Sequence, residues 1–201
     1  MNTFESSGGV SAVGFSASAS KGSNYSYNGP PSPPSDPYQM VLGDPSIACA
    51  GPDFFYAATW WDGGSVLSGV ALASSTNGGE SFSQPVVAVA KNGFTHEIVK
   101  DSLAIDQSNT SQLYIAYVDQ DYSAVVCGNY PGGDPNAGQP IPRYAIEVIS
   151  SSDAGSSWSA PVVIEQVCAD DASPNAFVEG PSAIVGPEGV VYVTWETMGE
   201  N

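Results

Sequence analysis

Ser151-Ser152-Asp153-Ala154-Gly155-Ser156-Ser157-Trp158-Ser159-Ala160-Pro161-Val162-Val163 decides the reading of this sequence, because it occurs twice. The other copy is Ser75-Thr76-Asn77-Gly78-Gly79-Glu80-Ser81-Phe82-Ser83-Gln84-Pro85-Val86-Val87. Both fit S-x-[DN]-x-G-x-S-[FW] followed by S-x-P-V-V. A worn third copy, Ser18-Ala19-Ser20-Lys21-Gly22-Ser23-Asn24-Tyr25, keeps the first Ser, the Gly and the aromatic. The pattern has the chemistry of a hairpin turn. Asp, Asn or Ser at the third position accepts backbone N–H bonds two residues on. Gly takes a positive φ without steric cost, and the aromatic folds back as an apolar plug.

Outward from each turn the apolar residues alternate. Val13 and Phe15, Val70 and Leu72, and Ile146 and Val148 enter the three turns with period two, the signature of a strand. The Val-Val pair after each good copy is the strand that leaves. A second unit lies between the turns. Asp44-Pro45-Ser46-Ile47-Ala48 leads through a turn to Phe55-Tyr56-Ala57-Ala58, and Asp101-Ser102-Leu103-Ala104-Ile105 to Leu113-Tyr114-Ile115-Ala116-Tyr117. Gly180-Pro181-Ser182-Ala183-Ile184 leads likewise to Val191-Tyr192-Val193-Thr194-Trp195. Useful 3.6-residue periodicity is absent.

Ser18 to Ser75 is 57 residues and Ser46 to Ser102 is 56, so the two repeats share one phase. Ser102 to Ser182 is longer, and an insertion within 119–142 takes up the excess. Each unit is therefore four antiparallel strands, A to D, with the glycine turn between C and D. Such units are blades of an all-β propeller. Residues 1–30 supply strands C and D of one blade, and 31–43 are a Pro- and Ser-rich connection. Residues 44–100 form a complete blade with its turn at 75–82. Residues 101–179 form another, with the insertion 119–142 and a turn at 151–158, and 180–201 supply strands A and B of a further one. About three blades' worth of a larger ring is present, so the chain reads as a fragment and Met1 need not be the natural start.

Composition narrows the partners. Of 201 residues only four are Lys or Arg against 21 Asp or Glu, a formal charge of −17. Nucleic acid needs basic residues to displace its counterions, so it is excluded as a partner, as is an anionic membrane surface. No segment has the roughly 18 apolar residues of a membrane span, and the first residues lack the pattern of a signal peptide. The acidic balance is read as solubility through self-repulsion, with a cation-binding or salt-adapted surface as the alternative.

Ser151 to Trp158 resembles the Asp box, or BNR repeat, of sialidases and related propellers. The runs Gly180 to Ile184 and Val191 to Glu196 resemble the inner strands of secreted sialidase-like proteins. The resemblance implies a six-bladed propeller, an extracellular or cell-surface location, and a carbohydrate or protein ligand. In the family the Asp boxes lie away from the active face, so Ser75, Asn77, Gly79, Phe82, Ser151, Asp153, Gly155 and Trp158 are expected to be structural. A sialidase clamps its substrate carboxylate with several Arg residues and uses a Tyr/Glu pair and an Asp acid. Arg143 is the single Arg here, so no catalytic residue carries over.

By strand order, the B–C loops and D-to-A connections share the opposite face. They gather Asp62, Asp101, Asp119, Asp121, Arg143 and Glu179 as candidate binding residues, with His96 beside Glu97 expected to be non-catalytic. One of Trp60 and Trp61 is expected in the core and the other free to stack on a sugar. Asp119 and Asp121 resemble half of a Ca²⁺ loop but lack its Gly and later Glu, so no cofactor is expected beyond that weak hint. Cys127 and Cys168 fall on the same loop face of one blade. They pair there or remain two free thiols, and Cys49 is expected to be a buried thiol in strand A. Three functions stay open: a non-catalytic glycan- or protein-binding propeller, a piece of an exo-sialidase or related glycoside hydrolase, and a structural array in a large surface protein.

Overall fold

The structure, a computed structural model, describes residues 13–18, 20–29, 34–170 and 173–199. The described residues form thirteen strands and no helix. β1 (Phe15–Ala17) and β2 (Ser26–Gly29) make a two-stranded ribbon. β3 (Gln39–Val41) and β4 (Ser46–Ala50) both pair with β5 (Asp53–Asp62), which continues through β6 (Leu67–Ser75) to β7 (Val86–Asn92). β8 (His96–Ile105), β9 (Leu113–Asp121), β10 (Arg143–Ser151) and β11 (Val162–Cys168) form the next sheet. β12 (Phe177–Val185) pairs with β13 (Val191–Met198). Every pairing is antiparallel.

The sheets stack face to face, and their side chains explain why. Phe55, Ala57, Val70 and Leu72 from one sheet meet Leu103, Ile105, Leu113, Ile115 and Tyr117 from the next. The opposite face of β5 and β6 offers Tyr56, Ala58 and Ala73 to Val13, Phe15 and Phe82. Phe82 meets Phe15 edge to face, with ring centroids 5.2 Å apart. Ala104, Ala116 and Ala183 fill the narrow space between β8, β9 and β12. Strands covered on both faces must be apolar at consecutive positions. That is why β5 is buried from Phe55 to Trp60 without a break, whereas the outermost β7 and β11 leave Val86, Val87, Val162 and Val163 exposed.

The inner strands begin earlier than the sequence pattern places them, at His96 rather than Asp101 and at Phe177 rather than Gly180. A repeated backbone irregularity hides the join. The register shifts between Val99 and Ser102 and between Glu179 and Ser182, and the equivalent strand splits into β3 and β4. Asp44, Lys100 and Gly180 take positive φ at these points (49°, 58° and 61°). Past each irregularity a serine ties one inner strand to the next: Leu103 N–H donates to Ser46 Oγ (3.1 Å), and Ala183 N–H donates to Ser102 Oγ (3.0 Å).

Cys49 is exposed, not buried. It shares its face of β4 with Ile47, 55% exposed and paired with Tyr56. That face turns toward β1 and β2, and no described inner strand stands against it. Ile184 and Tyr192 are exposed in the same way on β12 and β13.

Candidate functional site

The glycine turns lie between β6 and β7 and between β10 and β11, remote from the B–C loops. Ser75 and Ser151 anchor them. Gly79 N–H donates to Ser75 Oγ (3.0 Å) and Gly155 N–H to Ser151 Oγ (2.9 Å). The serine hydroxyls donate to Asn77 Oδ1 and Asp153 Oδ1, both at 2.8 Å. Those oxygens accept from Ser81 N–H (3.1 Å) and Ser157 N–H (2.8 Å). The Ser157 hydroxyl and amide hold the Asp153 carboxyl down at about 2. The worn copy keeps the same scheme, with Gly22 N–H on Ser18 Oγ and Asn24 N–H on Ser20 Oγ, each at 2.9 Å. Phe82 is buried and Trp158 donates its indole N–H to the Gly155 carbonyl (3.2 Å), whereas Tyr25 stays exposed. These side chains are consumed in holding the turn.

The loop-face candidates separate into three groups. Asp62 and Asp121 hold equivalent strand ends and cap the loops that follow: Gly64 N–H donates to Asp62 Oδ1 (2.8 Å) and Ser123 N–H to Asp121 Oδ1 (2.7 Å). Asp119 and Arg143 belong to an ion cluster joining two blades. Lys91 Nζ reaches from β7 to Asp119 Oδ2 (2.8 Å) and Glu147 Oε2 (2.7 Å). Arg143 lies 3.2 Å from Asp119 and 3.6 Å from Glu147, and its Nε–H donates to Gln166 Oε1 (2.8 Å). His96 Nδ1 is 2.9 Å from Asp119 Oδ1, and Tyr117 donates its hydroxyl to Glu147 (2.8 Å). Burial first, and then the Glu147 charge, push the Tyr117 hydroxyl far above its ordinary value. Asp119 is fully buried, with Lys91, Arg143 and His96 around its carboxylate. Among the described residues no group of three or more His, Cys, Asp and Glu is arranged to hold a metal ion.

Asp101 and Glu179 form the third group, at the inner-strand irregularities. Asp101 is buried and accepts the Ser46 hydroxyl at Oδ2 (2.6 Å), while Oδ1 has no partner. Burial is the main reason its carboxyl is pushed up to about 7. Glu179 is exposed and lines a cavity.

A cavity on this face has a volume of about 520 Å³. Its apolar wall is Trp60, Trp61, Phe94 and Tyr122, and its polar groups include Asp44, Thr59, His96 and Glu97. Trp60 is buried and Trp61 half-buried, as expected of one core and one freer ring, and both residues line the cavity. Gly93 makes room for Trp61, because a Cβ there would stand 2.6 Å from the indole. Phe94 is 78% exposed at the rim. Burial first, and then Tyr144, push the Tyr122 hydroxyl up to about 12. Sequence reasoning picked out the tryptophans, His96 and Glu97 but not Asp44, Phe94 or Tyr122. Phe94 was legible as an apolar residue in a loop between two strands.

The insertion closes the face beyond Tyr122. Cys127 and Cys168 form a disulfide, with Cα atoms 5.8 Å apart. Tyr130 donates its hydroxyl to the Ala169 carbonyl (2.7 Å), and Ala169 N–H donates to the Pro142 carbonyl (2.9 Å).

No family model matches the sequence, and no curated protein does. Solved structures do match. A Hadza microbial sialidase is 13% identical with a TM-score of 0.53, over 81% of this chain and 33% of that one. The alpha-L-arabinanase of Penicillium chrysogenum, complexed with arabinobiose, is 12% identical with a TM-score of 0.55, over 89% and 47%. The GH93 alpha-L-arabinofuranosidase of Fusarium graminearum, also with arabinobiose, is 14% identical with a TM-score of 0.53, over 89% and 47%. The chain thus spans between a third and a half of the structures it matches. With its radially stacked four-stranded sheets, it has the fold of the sialidase-like β-propellers.

Proposed function

We propose that this chain is the part of an extracellular sialidase-like propeller that binds carbohydrate through its loop face, with no sialidase chemistry of its own. The cavity walled by Trp60, Trp61, Phe94 and Tyr122 carries this reading. Aromatic rings offer a flat apolar surface to the C–H face of a sugar, and a few carboxylates and hydroxyls at the edge accept its O–H groups. The missing clamp for an acidic sugar supports a neutral ligand. Arg143 is committed to Asp119, Glu147 and Gln166 with a side chain 7% exposed, and the cavity edge bears Asp44 and Glu97 instead. The disulfide supports an oxidising compartment.

The test is calorimetric titration with arabinobiose, the sugar in two of the matching structures, beside a sialyl-oligosaccharide. Saturable binding of arabinobiose that Phe94→Ala weakens about fivefold or more, with no binding of the sialoside, is expected. Tight sialoside binding, or no binding of the neutral sugar, would sink the reading.

A second reading is part of a neutral-glycan hydrolase. It is favoured by Asp44 and Glu97 sharing one cavity, since glycoside hydrolysis works with a pair of carboxyl groups. Release of reducing ends from arabinan, lost in Glu97→Gln, would establish it.

A further inference from the structure

A second cavity, of about 330 Å³, opens on the same face between the third sheet and β12. Its walls are Tyr144, Phe177 and Pro174, with Gln120, Asn175 and Glu179 as polar groups. Three contacts join it to the first. Val99 lines both cavities. Tyr122, in the first, donates its hydroxyl to Gln120 Oε1 in the second (2.8 Å). Lys100, in the second, has its ammonium 3.5 Å from Asp44 Oδ1 in the first, and its amide donates to Asp44 Oδ2 (2.9 Å). The divider is therefore one layer of side chains across the front of β8. Its most prominent member, Lys100, is 51% exposed.

We propose that the two cavities are successive compartments of one cleft, which takes an extended neutral oligosaccharide across β8. This rests on the carbohydrate reading of the first cavity and adds a second binding compartment. The chemistry of the divider supports it. A glycosidic link crossing the ridge meets Tyr122, Gln120 and Lys100, whose polar groups are spaced along the path and can hydrogen-bond ring hydroxyls. The second compartment offers two aromatic rings, two side-chain amides and a carboxylate, against the aromatic wall and two carboxylates of the first.

The whole chain is titrated with arabino-oligosaccharides of increasing length. Affinity is expected to rise about tenfold, the equivalent of roughly 1.4 kcal/mol, once the sugar is long enough to cross the ridge. Asn175 is exposed, so its substitution spares the core. Asn175→Trp, which fills the second cavity, should remove the gain while leaving arabinobiose binding intact. Asn175→Ala should remove part of it. Arabinobiose binding with no gain in length, or a gain that Asn175→Trp leaves untouched, would overturn the extended cleft alone. Failure of every length to bind would overturn the cleft together with the reading beneath it.

Discussion

The amide of Gly155 donates to Ser151 Oγ at a φ of 86°, and a Cβ on its Cα would stand 2.2 Å from Leu72 Cδ2 in the neighbouring sheet. Leu72 is buried and packed against Ile149 and Leu113 within one cluster, so it cannot swing clear without cost. Gly79 has nearly the same φ, 82°, but its nearest neighbour is the Phe54 ring at 3.6 Å. Gly155→Ala should therefore cost about 2–4 kcal/mol through strain and overpacking together. Gly79→Ala should cost only the backbone part, about 1–2 kcal/mol. Urea midpoints of the two variants check the order, and equal losses would refute the close approach. Asp101 bears on pH. Burial chiefly, and the Asp44 charge, keep its carboxyl protonated up to about 7, against an ordinary value of 3.8, although the Ser46 hydrogen bond opposes them. Between those values the folded chain holds a proton that the unfolded chain has released, so stability falls as pH rises. The expected slope is up to about 1.4 kcal/mol per pH unit. Asp101→Asn should flatten that slope between pH 4 and 7 in a series of denaturation curves. A slope unchanged from the parent chain would show that the proton sits elsewhere.

Lys91 is the only side chain of β7 that reaches into the ion cluster, and it meets two buried carboxylates there. Removing one partner of a buried pair leaves an uncompensated charge. Lys91→Met should destabilise the chain by about 3–5 kcal/mol, and Lys91→Met with Glu147→Gln by less than the two changes summed. Additive losses would mean that the ammonium is merely a surface charge. None of this clamp was visible along the sequence, because it draws on β7, β8, β9 and β10, which pairing alone brings together. The one signal was chemical: Glu147 interrupts the apolar run from Tyr144 to Ile149, and Asp119 ends the apolar run from Leu113 to Val118. The glycine turns were legible in position and residue type, since each is a local network within eight residues, but not in every bond: Asn77 and Asp153 accept from the amides of Ser81 and Ser157, four residues on and not two. The inner-strand irregularities were not. Their positive φ is carried by an Asp, a Lys and a Gly in turn, so no residue type repeats where the geometry does. The exposed Cys49 follows from the same limit: alternation assigns it a face of β4, but not what stands opposite.

At the scale of the whole molecule, stacked sheets leave the loops little to do for stability, and the long insertion is the exception. It runs from the end of β9 to the start of β10 and crosses back to the end of β11 through Cys127 and Cys168, 41 residues apart in sequence. Around that link, Tyr130 bonds to the Ala169 carbonyl and Ala169 to the Pro142 carbonyl. The hydrogen bonds hold the insertion only while the sheet is folded, whereas the disulfide also restricts the unfolded chain. A crosslink over that length removes loop-closure entropy equivalent to roughly 3–4 kcal/mol. The paired variant Cys127→Ala, Cys168→Ala should thus unfold at a clearly lower urea concentration, with the slope of the transition rising because the unfolded state is freed to expand. Its far-UV circular dichroism should match the parent's, since neither sulfur holds a strand to its neighbour in either sheet. Cys49 supplies the internal control: it is exposed and unpaired, so Cys49→Ser should leave the midpoint where it was. If the double variant kept the parent's midpoint, the insertion would be held by its hydrogen bonds alone. If it lost its β spectrum, the crosslink would be needed for folding of the blade and not merely for its stability.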